Sequence, residues 1–114
     1  MDDRKISITI WGKEKGDWIE WYNDIKNLIN KLGYEHTHIG ILSKNYSSGK
    51  ILTVARKERE ILTKINEGEI PMSLSCYSLP KGFKVASFDY NFLCERNGSY
   101  MSVILKETDY NISN

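Results

Sequence analysis

A chain of 114 residues has room for one domain, and folding buries roughly 65% of its extended surface without help from disulfides or metals. Its 40% hydrophobic and 27% charged residues argue against disorder. Sixteen Lys and Arg against fifteen Asp and Glu leave a net charge of +1. That balance argues against a general nucleic-acid binder and against an acidic mimic of nucleic acid.

Residues Met1 to Lys5 begin acidic and lead into a short alternating stretch, unlike the basic start and continuous apolar run of a signal peptide. No window approaches the roughly 20 apolar residues of a membrane span. The expectation is a cytoplasmic protein, with Cys76 and Cys94 as buried thiols of a reduced compartment rather than a disulfide framework or zinc site.

Ile6, Ile8 and Ile10 alternate with Ser7 and Thr9, which predicts a half-buried strand from Lys5 to Trp11. Gly12 to Gly16 is a charged loop. Asp17 and Glu20 then form a capping box, in which side chains satisfy exposed N–H groups at a helix start. Trp18, Trp21, Tyr22, Ile25, Leu28, Ile29 and Leu32 recur at three and four, one stripe of a helix that Gly33 terminates.

Tyr34 to Leu42 reads as a second strand, with Thr37, Ile39 and Ile41 on one face and His36 and His38 together on the other. The first strand, helix and second strand span enough chain for a right-handed βαβ crossover. Asn45 to Lys50 is a polar break. A second helix follows from Ile51, or Ile51 to Val54 begins as strand, and Gly68 and Pro71 close that helix.

Met72, Leu74 and Cys76 alternate with serines, Pro80-Lys81-Gly82 makes a turn, and Phe88, Tyr90, Phe92 and Cys94 alternate along a long strand. Asn97-Gly98 is a two-residue hairpin signal. A loop of those two residues pairs Arg96 with Ser99, Cys94 with Met101, Phe92 with Val103 and Tyr90 with Leu105. The tail after Asp109 is polar. The fold class is thus α+β, a single domain 1–114 ordered β-α-β-α-β-β-β, with a twisted mixed or antiparallel sheet and both helices on one face.

No catalytic motif emerges. His36 and His38 suit a metal or a proton transfer, but no Asp, Glu or Cys stands at ligand spacing. His36-Thr37-His38-Ile39 is superficially similar to the His-x-Thr/Ser-hydrophobic motif of two-histidine phosphoesterases. It has His where that family needs Ser or Thr, and no third histidine exists for a second motif. Ser47-Ser48-Gly49-Lys50 departs from a phosphate-binding loop at its first glycine and at Ile51, and reads as a turn and helix cap.

Trp11, Trp18, Trp21 and Tyr22 crowd into twelve residues, and Trp and Tyr favour interface anchors. Two contact surfaces present themselves. One is Trp11, the loop residues Lys13, Glu14 and Lys15, and Trp18. The other is the C-terminal sheet face around Asp89, Asn91 and Tyr100.

Lys, Asn, Ile and Tyr enrichment, as in Ile25-Lys26-Asn27-Leu28-Ile29-Asn30-Lys31, gives the chain the look of small accessory proteins of bacteria and their phages. Across its whole length it is similar in size and style to the immunity proteins of polymorphic toxin systems. The resemblance implies a non-enzymatic protein, with no cofactor or metal, that binds one cognate toxin and blocks it by steric occlusion. The alternatives are a small enzyme using His36 and His38 on a metal or phosphate ester, and a homodimeric small-ligand-binding domain.

Overall fold

Capping chemistry puts both helices close to where periodicity expects them. The computed structural model describes residues 5–11, 17–80 and 90–106, and in it α1 spans Trp18–Lys31 and α2 spans Val54–Asn66. The Asp17 carboxylate accepts from Glu20 N at 3.2 Å, as the capping box requires. Both helices end in the same way. Gly33 (φ 88°) and Gly68 (φ 113°) take the left-handed conformation after the last turn. Their N–H groups bond Asn30 O and Ile65 O, while Tyr34 N and Glu69 N reach back to Ile29 O and Lys64 O.

The strands are β1 (Lys5–Trp11), β2 (His38–Ser43), β3 (Tyr46–Thr53), β4 (Ser73–Ser78), β5 (Phe92–Asn97) and β6 (Tyr100–Lys106). The chain is α+β in the expected order, with one strand added. That strand, β3, occupies the expected polar break and the start of the expected second helix. It forms a hairpin with β2 about Lys44-Asn45, so Ile51 pairs with Gly40 and Leu52 with Ile39 on opposite faces of the sheet. β3 is an edge strand, and its half-exposed position tolerates the serines and lysine that mask its strand character. Glu69, delivered by the turn that ends α2, holds the hairpin: its carboxylate accepts from Ser43 Oγ (2.5 Å), Asn45 N (3.1 Å) and Asn45 Nδ2 (2.7 Å).

The described sheet has the order β1-β6-β5-β4-β2-β3, and every neighbouring pair is antiparallel. β1 and β2 run in the same direction, but three strands lie between them, so they do not form the adjacent pair of a βαβ crossover. The C-terminal hairpin slips by two residues from its expected register: Arg96 pairs with Met101, Cys94 with Val103 and Phe92 with Leu105. Asn97 causes the slip, because its side-chain oxygen accepts from Ser99 N (2.8 Å) and Tyr100 N (2.9 Å). Asn97 therefore caps the turn from the strand end, and Gly98-Ser99 form the loop. A slip of two leaves every side chain on its expected face. The expected long strand is shorter at its start, because Tyr90 and Asn91 precede β5, which begins at Phe92. Phe88, Lys81-Gly82 of the expected turn and the tail after Asp109 lie outside the described residues.

The core lies between the helices and one sheet face. Trp21, Tyr22, Ile25 and Ile29 of α1 and Ile61 of α2 pack with Ile39, Ile41, Leu74, Cys76, Phe92, Cys94 and Leu105. Among the described residues, no helix covers the opposite face. There Gly40 earns its place by close approach: a Cβ on it would collide with Ser75 Oγ and stand 3.1 Å from Tyr77 Cε1. Gly40→Val is expected to lower the unfolding free energy by about 1–3 kcal/mol through overpacking. A fall in the urea midpoint with unchanged slope is the measurement that checks it.

Candidate functional site

The two histidines do not share a face. β2 begins at His38, and the preceding segment turns His36 inward until only 7% of it is exposed. Its ring packs on Tyr22 with centroids 5.3 Å apart, and Nδ1 lies 3.4 Å from Tyr22 Oη. Tyr22, itself fully buried, donates its hydroxyl proton to Glu58 Oε2 at 2.6 Å, and Lys26 Nζ donates to the same oxygen at 2.9 Å. With the phenol proton committed to Glu58, the Tyr22 oxygen is an acceptor toward His36, which assigns the imidazole proton to Nδ1. His36 Nε2 is then a buried acceptor with no hydrogen-bond partner. His38, by contrast, lies opposite Tyr77 on the uncovered face, where Nδ1 contacts Thr37 Oγ1 at 2.9 Å.

The electrostatics of this buried cluster suit packing. Burial first, and the bond to Glu58 second, hold the Tyr22 phenol far above its ordinary range, so it acts as a donor and not as a phenolate. Burial pushes His36 down to about 4, although the Glu58 carboxylate pulls the other way. Its bonds from Tyr22 and Lys26 keep Glu58 below the ordinary carboxylate value despite its own partial burial. The spare nitrogen that could take a proton from a substrate has no access to one.

Trp18 and Trp21 pack against the core and the end of the C-terminal hairpin. Trp18 lies against the core, with the buried Arg96 guanidinium 4.0 Å from its ring centroid. It meets Trp21 edge to face at 6.4 Å and 77°, and Trp21 Nε1 donates to Met101 Sδ at 3.3 Å. Trp18 and Trp21 thus cover the end of the β5–β6 hairpin, with Trp18 partly exposed where it packs against the core. Trp11 is described by its backbone alone, in register with Tyr100. Lys13, Glu14, Lys15 and Asp89 lie outside the described residues. Asn91 stands before the opposite end of β5, lining a cleft of about 540 Å³ with Tyr34, Glu35 and Pro80. Trp11 and Tyr100 are therefore neighbours, and Asn91 belongs elsewhere.

What remains on the uncovered sheet face is an unusual set of residues. Strand alternation puts Ser7 and Thr9 of β1, Ser102 and Ile104 of β6, and Leu93 and Glu95 of β5 on it. Ser73, Ser75 and Tyr77 of β4 and Ile51 and Thr53 of β3 share that face with His38, Gly40 and Leu42. Glu95 is the one acidic position among them, and Lys5 and Lys106 face each other at one end of the β1–β6 ladder. The Lys, Arg and Glu side chains that usually solvate a surface stand on α2 instead, from Arg56 to Lys64. No compositional peak in the sequence marks this face, because it draws two or three residues from each of six strands.

Comparisons with protein-family models, curated proteins and solved structures return no match. Among the described residues, no group of three or more His, Cys, Asp or Glu is arranged to hold a metal ion. No described helix is long and apolar enough to cross a membrane.

The buried histidine makes stability depend on pH. The unfolded chain protonates His36 near its ordinary 6.5, the folded chain only near 4. Between those values the unfolded state holds more protons, so stability falls as pH falls. Tyr22 and Lys26 from α1, Glu58 from α2, and His38 beside it are the groups that set this field. Acidification from pH 7 to pH 4 is expected to remove about 3 kcal/mol through His36. Urea unfolding across that range, with a flatter profile in His36→Gln, is the check.

Proposed function

We propose that this chain is a non-catalytic protein-binding domain, an immunity-type inhibitor that covers its target with the uncovered face of its sheet. The observation that carries the reading is the composition of that face. A solvated sheet surface is normally rich in Lys and Glu, whereas interface centres are depleted in charge and use Tyr, Ser, Thr and Gly as adaptable contacts. Here hydroxyl side chains, glycine and scattered aliphatics span six strands, with Glu95 alone near the middle. Tyr100, at the end of β6 where it pairs with Trp11 in the backbone register, adds an aromatic residue at the edge of this face. The rigid layer behind the face, two helices on a packed core, keeps the cost of ordering it on binding low.

The enzymatic alternative loses support from the same geometry. His36 is enclosed beneath the helices and His38 is on the other face, so the pair does not converge on one substrate. Inhibition by occlusion needs a shape-complementary surface and no reactive group, which is what this sheet offers a cognate toxin.

The test uses two bulky charges placed on the face. The tagged chain is expected to capture one stoichiometric protein whose own activity falls on binding. Thr9→Arg and Ser102→Arg are expected to weaken that complex at least about tenfold, a loss of about 1.4 kcal/mol, with an unchanged unfolding midpoint. Arg59→Glu, on the outer surface of α2, is expected to leave it intact. Undiminished binding by both face variants sinks the proposal, and a dimeric solution mass that Ser102→Arg converts to monomer assigns the face to self-association instead.

A further inference from the structure

We infer that the uncovered face carries a built receptor for one cationic side chain, an arginine or lysine of the bound protein, at Glu95. This rests on the reading of that face as the binding surface and names the chemistry of what it receives.

Glu95 sits mid-sheet, directly between Ser75 on β4 and Ser102 on β6. Its side chain is half-buried, and it makes no hydrogen bond or ion pair to any described residue. Its two cross-strand neighbours are hydroxyls. The nearest lysine position on the same face, Lys106, lies four residues further along β6 than Ser102, about 14 Å away at the usual strand rise. A guanidinium or ammonium group brought to this carboxylate gains charge-assisted hydrogen bonds, which are stronger than neutral ones.

The ground beside Glu95 has the shape and polarity for that cation. A groove of about 230 Å³ runs from Glu95 across Ser75, Tyr77 and Gly40 to Leu42 and Ile51. The absence of a side chain at Gly40 opens its floor, and the Tyr77 hydroxyl stands over that glycine, hydrogen-bonded to Ser75. One end therefore offers a carboxylate and two hydroxyl oxygens, acceptors for the several N–H donors of a guanidinium or ammonium group. The other end, Leu42 and the exposed Ile51, offers apolar surface for the methylene stem of the same side chain. An anion would meet Glu95 at close range, and a purely apolar side chain would bring no donor to its carboxylate. The groove discriminates for a long side chain with a positive tip.

Titration with Nα-acetyl-arginine methylamide and Nα-acetyl-lysine methylamide, followed by amide NMR shifts, tests the site without any protein partner. Saturable shifts at Gly40, Ser75, Tyr77 and Glu95 are expected with at least one of the two. The neutral Nα-acetyl-norleucine methylamide is expected to give none, and Glu95→Gln to weaken the response at least about tenfold while retaining the wild-type unfolding midpoint. Absence of saturable shifts at these residues, or equal binding by Glu95→Gln, overturns the inference. The captured protein separates this outcome from failure of the wider reading. If Ser102→Arg abolishes its binding and Glu95→Gln does not, the face is the interface but the cation site is refuted. If Glu95→Gln also weakens the complex about tenfold or more, both stand.

Discussion

The hydrogen bond from Tyr22 to Glu58 ties the helical layer together. A phenol buried without an acceptor would lose one to three kcal/mol, so α1 cannot bury Tyr22 unless α2 brings a carboxylate to it. Glu58 meets that demand at 2.6 Å and is itself kept charged by Lys26. The three groups link α1 to α2, and His36 beneath them brings in the start of β2. The helices consequently share one face of the sheet as a unit.

That one-sided arrangement decides the character of the rest. Six strands present two faces, and two helices can cover only one. The other must be solvated or serve a partner. Its described residues are mostly hydroxyl-bearing, glycine and aliphatic, and the run of Lys, Arg and Glu stands on α2. Even its buried members, Ser75 and Tyr77, are polar groups bonded to one another over a glycine rather than a hydrophobic layer.

A histidine, a tyrosine and a glutamate within hydrogen-bonding range resemble the parts of an acid–base site. Access is what separates this cluster from one. Tyr22 gives its proton to a carboxylate that needs it, His36 is held neutral, and the leftover nitrogen faces the interior. Its measurable consequence is a stability that declines in acid. Glu95 stands on the opposite side of the sheet.

Local signals carried much of the fold. The Asp17–Glu20 box, the glycines at 33 and 68, the three-four stripe of α1 and the period-two strands all depend on neighbours within a few residues, and each is in place. Even the slipped C-terminal hairpin keeps its faces, since a period of two is blind to a shift of two. Strand order and the functional surface needed the third dimension. β1 joins β6 across ninety-odd residues with no turn to announce it, and β3 hides its strand character at an exposed edge. Trp18 meets the guanidinium of Arg96, far along the chain, a contact that no local signal announces. Glu58 reads as one charge in the solvated run from Arg56 to Glu60 until Tyr22 reaches it. By itself the sequence determined the two helices, most of the strands and the apolar side of α1 and of the C-terminal hairpin, because propensity, capping and periodicity act over a few residues. Only the tertiary structure decided which strands are neighbours and what their uncovered face displays, because both arise from contacts between residues that the chain keeps far apart.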